Sequence, residues 1–193
     1  MARVWRRSGG DVRAVHRTGR VGVLRAGHPP AVTRAFLSLG SNLGDRLEYL
    51  RSAVHALGRG PSLEVRGVSK VYETAPVEVE GDQPDYLNCV VEVRCGLPAV
   101  ELLRYCQGVE AGLGRERKGE RAPRTVDVDV LLFGEEVVET ADLAVPHRGV
   151  GRGFNLVGLA DLDPDLYIPG RGAVAGLLAA VDLTGIREFG EGV

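Results

Sequence analysis

Asp127-Val128-Asp129 interrupts an otherwise apolar run between Thr125 and Phe133. Side chains alternate along an extended strand, so both carboxylates share one face with Cβ atoms about 7 Å apart, while Val126, Val128 and Val130 turn the other way. Two carboxylates so placed suit hard divalent cations bound through oxygen. The plain alternative is an edge strand with a solvated face, but Asp is disfavoured in strands, so a pair of them carries information. Just upstream lie Arg115, Arg117, Lys118, Arg121 and Arg124, broken by Glu116 and Glu120. Cations beside an acidic pair make sense where a polyphosphate bridges them, with Mg²⁺ on the carboxylates and guanidinium forks on the remaining oxygens. The combination points to phosphoryl chemistry.

A second group has a different chemistry. Tyr86 to Cys95 alternates, with Leu87, Cys89, Val91, Val93 and Cys95 on one face, which leaves Tyr86 and Asn88 together on the other. An aromatic ring beside an amide suits a flat heterocycle that is stacked on its face and hydrogen-bonded at its edge. Gly40-Ser41-Asn42-Leu43-Gly44 lacks both G-x-x-x-x-G-K-[ST] and G-x-G-x-x-G, so it reads as a tight turn with Asn42 or Asp45 capping the next helix. Pro146-His147 and Arg152-Gly153-Phe154 lie in a glycine-flanked loop beyond the aspartates; a lone His beside Pro is ordinarily a surface residue.

These groups need elements to hold them. Ala35 to Leu39 is a short apolar strand; Leu47, Leu50, Ala53, Val54 and Leu57 then recur at helical spacing. Val65 to Tyr72 reads as a second strand, Glu73 to Pro84 as a loop, and Tyr86 to Cys95 as a third strand. Pro98 opens a helix carrying Leu102, Leu103, Cys106, Val109 and Leu113, and the acidic strand follows. A short strand at Val137 and Val138, a helix near Asn155 to Leu162 and a last one near Ala173 to Val181 complete the chain. The order βαββαβ predicts an α+β, ferredoxin-like sandwich with an antiparallel sheet and additional C-terminal helices.

Of the 193 residues, 44% are hydrophobic and 26% charged, ordinary for a globular protein able to bury its own core. The net charge of −2 hides an asymmetry. Residues 1–34 hold eight Arg and one Asp, about +7, and the remaining 16 basic and 25 acidic residues sum to about −9. Residues 1–33, with Gly-Gly and Pro-Pro pairs and no lasting period, read as a flexible basic arm ahead of a domain over residues 34–193. Cys89, Cys95 and Cys106 lie among apolar neighbours without C-x-x-C spacing, which suits free thiols in the cytoplasm. No run is long enough to span a membrane.

Taken together, the strings F-L-S-L-G-S-N-L-G-D-R, V-Y-E-T-A-P-V, D-Q-P-D-Y-L-N-C-V-V, Gln107 with Glu110, A-P-R-T-V-D-V-D-V-L-L-F-G and V-P-H followed by R-G-F resemble the 6-hydroxymethyl-7,8-dihydropterin pyrophosphokinases of folate biosynthesis, over about residues 35–170. The resemblance implies a ferredoxin-like fold and transfer of pyrophosphate from ATP to the hydroxymethyl pterin, releasing AMP. It implies that Asp127 and Asp129 hold two Mg²⁺ ions and that Arg115 and Arg124 steady the polyphosphate. Tyr86 and Phe154 then sandwich the pterin, while Asn88 and the backbone of Thr74, Ala75, Pro76 and Val77 meet its edge. Gln107, Glu110, Arg121, His147 and Arg152 fall on the nucleotide side. A cytoplasmic monomer is expected, with ATP and the pterin as its partners and no membrane or nucleic acid among them. Two departures stand out. The family's tryptophan ahead of the aspartates is absent, the sole Trp being Trp5, and the stretch from Pro146 to Phe154 is one residue short.

Overall fold

A computed structural model of the chain describes residues 32–76, 83–114 and 124–193. Residues 1–31 of the expected arm, Val77, Arg115 and Arg121 lie outside the described residues. The elements are β1 (Thr33–Ser41), α1 (Arg46–Gly58), β2 (Leu63–Val68), β3 (Tyr72–Thr74), β4 (Tyr86–Cys95), α2 (Ala99–Gly112) and β5 (Asp127–Phe133). There follow β6 (Val138–Glu139), β7 (Ala144–Val145), a 3-10 turn (Arg148–Gly151), α3 (Gly153–Leu162), β8 (Tyr167–Ile168), β9 (Gly172–Ala173), α4 (Val174–Leu178) and β10 (Ile186–Glu188). The main sheet is antiparallel in the order β10-β3-β4-β1-β5, with β2 pairing the far half of β4. This is the expected α+β sandwich, with α3 and α4 added.

One expected strand becomes two. Val65 to Tyr72 breaks because the Ser69 hydroxyl accepts Val90 N–H at 2.8 Å and donates to the Lys70 carbonyl at 2.7 Å, taking over a ladder position. The chain then resumes as β3 against the start of β4, so Glu73 and Thr74 are strand residues, not loop. The terminal helix is also shorter than expected, and β10, three residues with a single apolar side chain, carried no periodic signal.

Two cores sandwich the sheet. On one face, Leu47, Leu50, Ala53 and Leu57 of α1 and Leu102, Cys106 and Val109 of α2 pack on Leu37, Leu39, Leu87, Cys89, Val91, Val93, Val128 and Val130. Each fully buried Leu contributes roughly 1.5–3 kcal/mol. The Asp45 carboxylate caps α1 by accepting Glu48 N–H at 3.1 Å. On the opposite face α3 and α4 cover Phe36, Val90, Leu131 and Leu132. A β-bulge lets the adjacent Leu131 and Leu132 both reach this second core: the β1–β5 register shifts between Phe36 and Leu37. α3 lies so close that a Cβ at Gly158 would sit 2.6 Å from Val90 Cγ2. All three thiols are buried and free, and burial pushes those of Cys89 and Cys106 up to about 12.

Candidate active site

Register brings the chemistry into one row. Tyr72 of β3 lies opposite Asn88 of β4, Asn88 opposite Gly40 of β1, and Gly40 opposite Asp127 of β5. One step along, Thr74 faces Tyr86; in the other direction Ser38 faces Asp129. Residues directly opposite share a face, so a polar strip crosses the half of the second face that continues beyond the apolar core under α3. Gly40 at its centre has a steric reason: a Cβ there would lie 3.0 Å from Asn88 Oδ1 and 3.9 Å from Tyr86 Cδ1. The absent side chain leaves a shelf between the aromatic-amide pair and the acids.

The acid end is held tightly. Asp127 and Asp129 are half-buried, and the buried Val126, Val128 and Val130 fix which way they point. Arg124 forms a short charge-assisted bond to Asp127. Burial works against the charge on that guanidinium, but Asp127 outweighs it and holds the arginine above its usual range. The amide between the two aspartates, Val128 N–H, donates to Glu110 Oε1 at 2.8 Å, and Glu110 is only 3% exposed. The sequence places Glu110 on the nucleotide side; in the fold its carboxylate lies against β5, bonded to the amide between the two acids. Among the described residues no three His, Cys, Asp or Glu side chains converge on one point. A carboxylate pair fits Mg²⁺, which commonly takes one or two protein carboxylates and completes its shell with water and substrate phosphate.

At the other end of the strip, Asn88 is 5% exposed and its Nδ2 donates to Thr74 Oγ1 at 2.9 Å, leaving Oδ1 over Gly40. Tyr86 is half-buried, and beyond β3 Ala75 is exposed and Pro76 half-buried. Arg46 braces this wall by donating to Glu73 Oε1 at 2.9 Å and to the Asp85 carbonyl at 2.7 Å. Tyr72 donates its hydroxyl to Asp161 Oδ2 of α3 at 2.7 Å, tying the wall to the helix; burial first, then Asp161, pushes that phenol above its usual range.

α3 and the turn before it complete the site. Ser38 donates to Asn155 Oδ1 at 2.7 Å, and Asn155 Nδ2 donates to the Gly149 carbonyl at 2.9 Å. This fixes the segment bearing His147, Arg152 and Phe154 above the sheet. His147 donates its backbone N–H to Leu131 O at 2.8 Å and accepts Gly149 N–H at Nδ1 at 3.2 Å, so in the neutral ring Nε2 is the donor. Phe154 is half-buried in the first turn of α3 and Arg152 is exposed at its start. Gln107 is half-buried on α2, which packs from the opposite face near β5. Asn42, Arg46, Tyr72 and Asp161 were not singled out for the site in the sequence; the strings G-S-N-L-G-D-R and V-Y-E-T contained three of them, but their partners lie far away along the chain.

Residues 36–164 match the family described as 7,8-dihydro-6-hydroxymethylpterin-pyrophosphokinase. The chain is 46% identical over 129 residues to the 2-amino-4-hydroxy-6-hydroxymethyldihydropteridine pyrophosphokinase of Bacillus subtilis, covering 66% of this chain and 77% of that one. It is 38% identical over 159 residues to the enzyme of the same name from Pseudomonas aeruginosa, covering 82% and 98%. Among solved structures, wild-type HPPK-DHPS of Plasmodium falciparum superimposes with a TM-score of 0.61 at 13% identity, covering 77% of this chain and 44% of the other. That likeness concerns the fold, and the chain spans less than half of that longer protein.

Proposed function

This chain belongs to the 7,8-dihydro-6-hydroxymethylpterin-pyrophosphokinase family, ATP-dependent transferases of folate biosynthesis, and from that premise we propose how its own residues divide the work. The chemistry is attack of the pterin hydroxymethyl oxygen on the β-phosphorus of ATP. One O–P bond forms as the hydroxyl gives up its proton to solvent, the bond from the β-phosphorus to the α–β bridging oxygen breaks, and AMP leaves with that oxygen. Asp127 and Asp129 hold the Mg²⁺, two ions in this reading, which when bound offset the charge of the polyphosphate. Arg124, already poised by Asp127, stabilises the phosphoryl oxygens as the bridging bond lengthens, and Arg115 joins it. Glu110 keeps the acid pair aimed.

Tyr86 and Phe154 stack the pterin, and Asn88 with the backbone of Thr74, Ala75, Pro76 and Val77 meets its edge. Gln107, Glu110, Arg121, His147 and Arg152 serve the nucleotide, His147 through Nε2–H. The catalytic domain is residues 34–193, and residues 1–33 are a basic extension that turnover does not need. The buried thiols support a cytoplasmic setting, and a monomer suffices for a site built from one sheet. No described helix is long and apolar enough to cross a membrane.

The observation that carries this reading is the row in which Asn88, Gly40 and Asp127 occupy neighbouring strands, with Arg124 bonded to Asp127. It supports a heterocycle-binding wall and a polyphosphate-binding wall on either side of one shelf. Incubation of the chain with ATP, Mg²⁺ and the hydroxymethyl pterin should yield AMP, and Asp127→Ala or Asp129→Ala should abolish it. Release of ADP would overturn the assignment.

A further inference from the structure

We propose that Asn42 is a positioning residue that locks the pterin wall to the phosphate wall, so that occupancy of one side is passed to the other. The inference rests on the pyrophosphokinase reading above and assigns a role within the same site. Asn42 is 1% exposed and follows β1 directly. Capping does not explain it, because α1 is capped by Asp45.

The polar groups of Asn42 are spent in two directions. Toward the phosphate wall, its backbone N–H donates to the Arg124 carbonyl at 3.2 Å and its Oδ1 accepts Arg124 N–H at 2.9 Å. Arg124 is the residue whose guanidinium bonds Asp127. Toward the pterin wall, its Nδ2 donates to Gln83 Oε1 at 3.1 Å, with the Pro84 carbonyl at 3.5 Å. Gln83 and Pro84 run through Asp85 into Tyr86, the start of β4. One planar amide therefore bridges segments 41 and 82 residues away along the chain. Only an amide of this size offers an acceptor and a donor on opposite corners; Asp lacks the donor and Ser lacks the reach. In a dry setting such bonds are stiff, and breaking one strands a buried polar group, so a shift of Tyr86 on a bound ring is carried to Arg124.

The test is calorimetric titration of the full chain with the hydroxymethyl pterin, with and without a nonhydrolysable ATP analogue and Mg²⁺. It is run on the wild type, Asn42→Ala, Gln83→Leu and Asp45→Ala, alongside AMP formation and thermal unfolding. Gln83→Leu removes the side-chain acceptor but keeps Asn42, and it decides the matter if Asn42→Ala does not fold. The wild type should bind pterin more tightly when the nucleotide is present. Asn42→Ala and Gln83→Leu should each cut that enhancement by about tenfold and lower kcat, with the KM for ATP within about twofold of the wild type. Asp45→Ala should lower the Tm and leave the enhancement intact. An unchanged enhancement in Gln83→Leu, no enhancement in the wild type, or an equal loss in Asp45→Ala overturns the positioning role while the activity stands. A wild type that forms no AMP overturns the activity itself.

Discussion

The face of the sheet beneath α1 and α2 is dominated by apolar side chains, whereas the opposite face changes character halfway across, from Phe36, Val90 and Leu132 under α3 to the strip of Asn88, Gly40 and Asp127. The first face is stabilised by area removed from water, and its side chains are interchangeable within limits of volume. In and beside the strip, buried polar groups are held by specific partners: Asn88 by Thr74, Ser38 by Asn155, and, flanking it, Glu110 by Val128 N–H and Asn42 by Arg124. The difference shows where geometry is bought with hydrogen bonds in place of packing, and it gives the two faces opposite mutational signatures.

The sharpest separation comes from the acids. Asp127→Ala or Asp129→Ala should lower kcat by about 10³-fold or more, because each removes a proposed Mg²⁺ ligand that acts on the transition-state charge. Neither should change the urea midpoint by much, both side chains being only half-buried. Leu50→Ala on the other face should reverse the pattern: a loss of about 2–5 kcal/mol in urea unfolding, with kcat at low temperature near that of the wild type. If Leu50→Ala and Asp127→Ala affected both properties alike, the division between the faces would fail.

Gly40→Ala sits on the boundary. Its new Cβ meets Asn88 Oδ1 at 3.0 Å, so the expected result is a KM for the pterin raised about tenfold with the KM for ATP little changed, measured by steady-state AMP release. A smaller effect is expected at the link between the wall and α3. Tyr72→Phe removes one hydrogen bond to Asp161 and should cost about 1 kcal/mol in stability, with a modest rise in pterin KM.

The last prediction concerns pH. Burial raises the Cys89 and Cys106 thiols from 9.0 to about 12, so the folded chain keeps its protons where the unfolded chain has lost them. That contribution is intact below about pH 9 and declines as pH rises toward 12. In thiol-reagent assays at pH 8 the native chain should react only as fast as it opens, and all three thiols should react at once in denaturant.

Much of the architecture was visible in local pattern. Period-2 alternation marked β4 over its full length, Tyr86 to Cys95, and placed Asp127 and Asp129 on one side of β5. Helical spacing marked α1 and α2. The pattern failed where a side chain replaced a ladder bond, as Ser69 does between β2 and β3, and where the β5 bulge sends two adjacent leucines the same way. Of the two cap candidates, Asn42 and Asp45, it is Asp45 that caps α1, and Asn42 is engaged with Arg124 and Gln83 instead.

The sequence by itself therefore determined the residue types and the short-range order: an acid pair on one strand face, an aromatic-amide pair on another, helices between them, and the motifs that mark the family. The tertiary structure alone decided that Gly40 falls between Asn88 and Asp127, that Glu110 lies behind Val128, and that Asn42 reaches both Gln83 and Arg124. The physical reason is range. Alternation and helical period are imposed by backbone geometry over a few residues, whereas these contacts join positions 18 to 87 residues apart through register and burial that only the assembled sheet fixes.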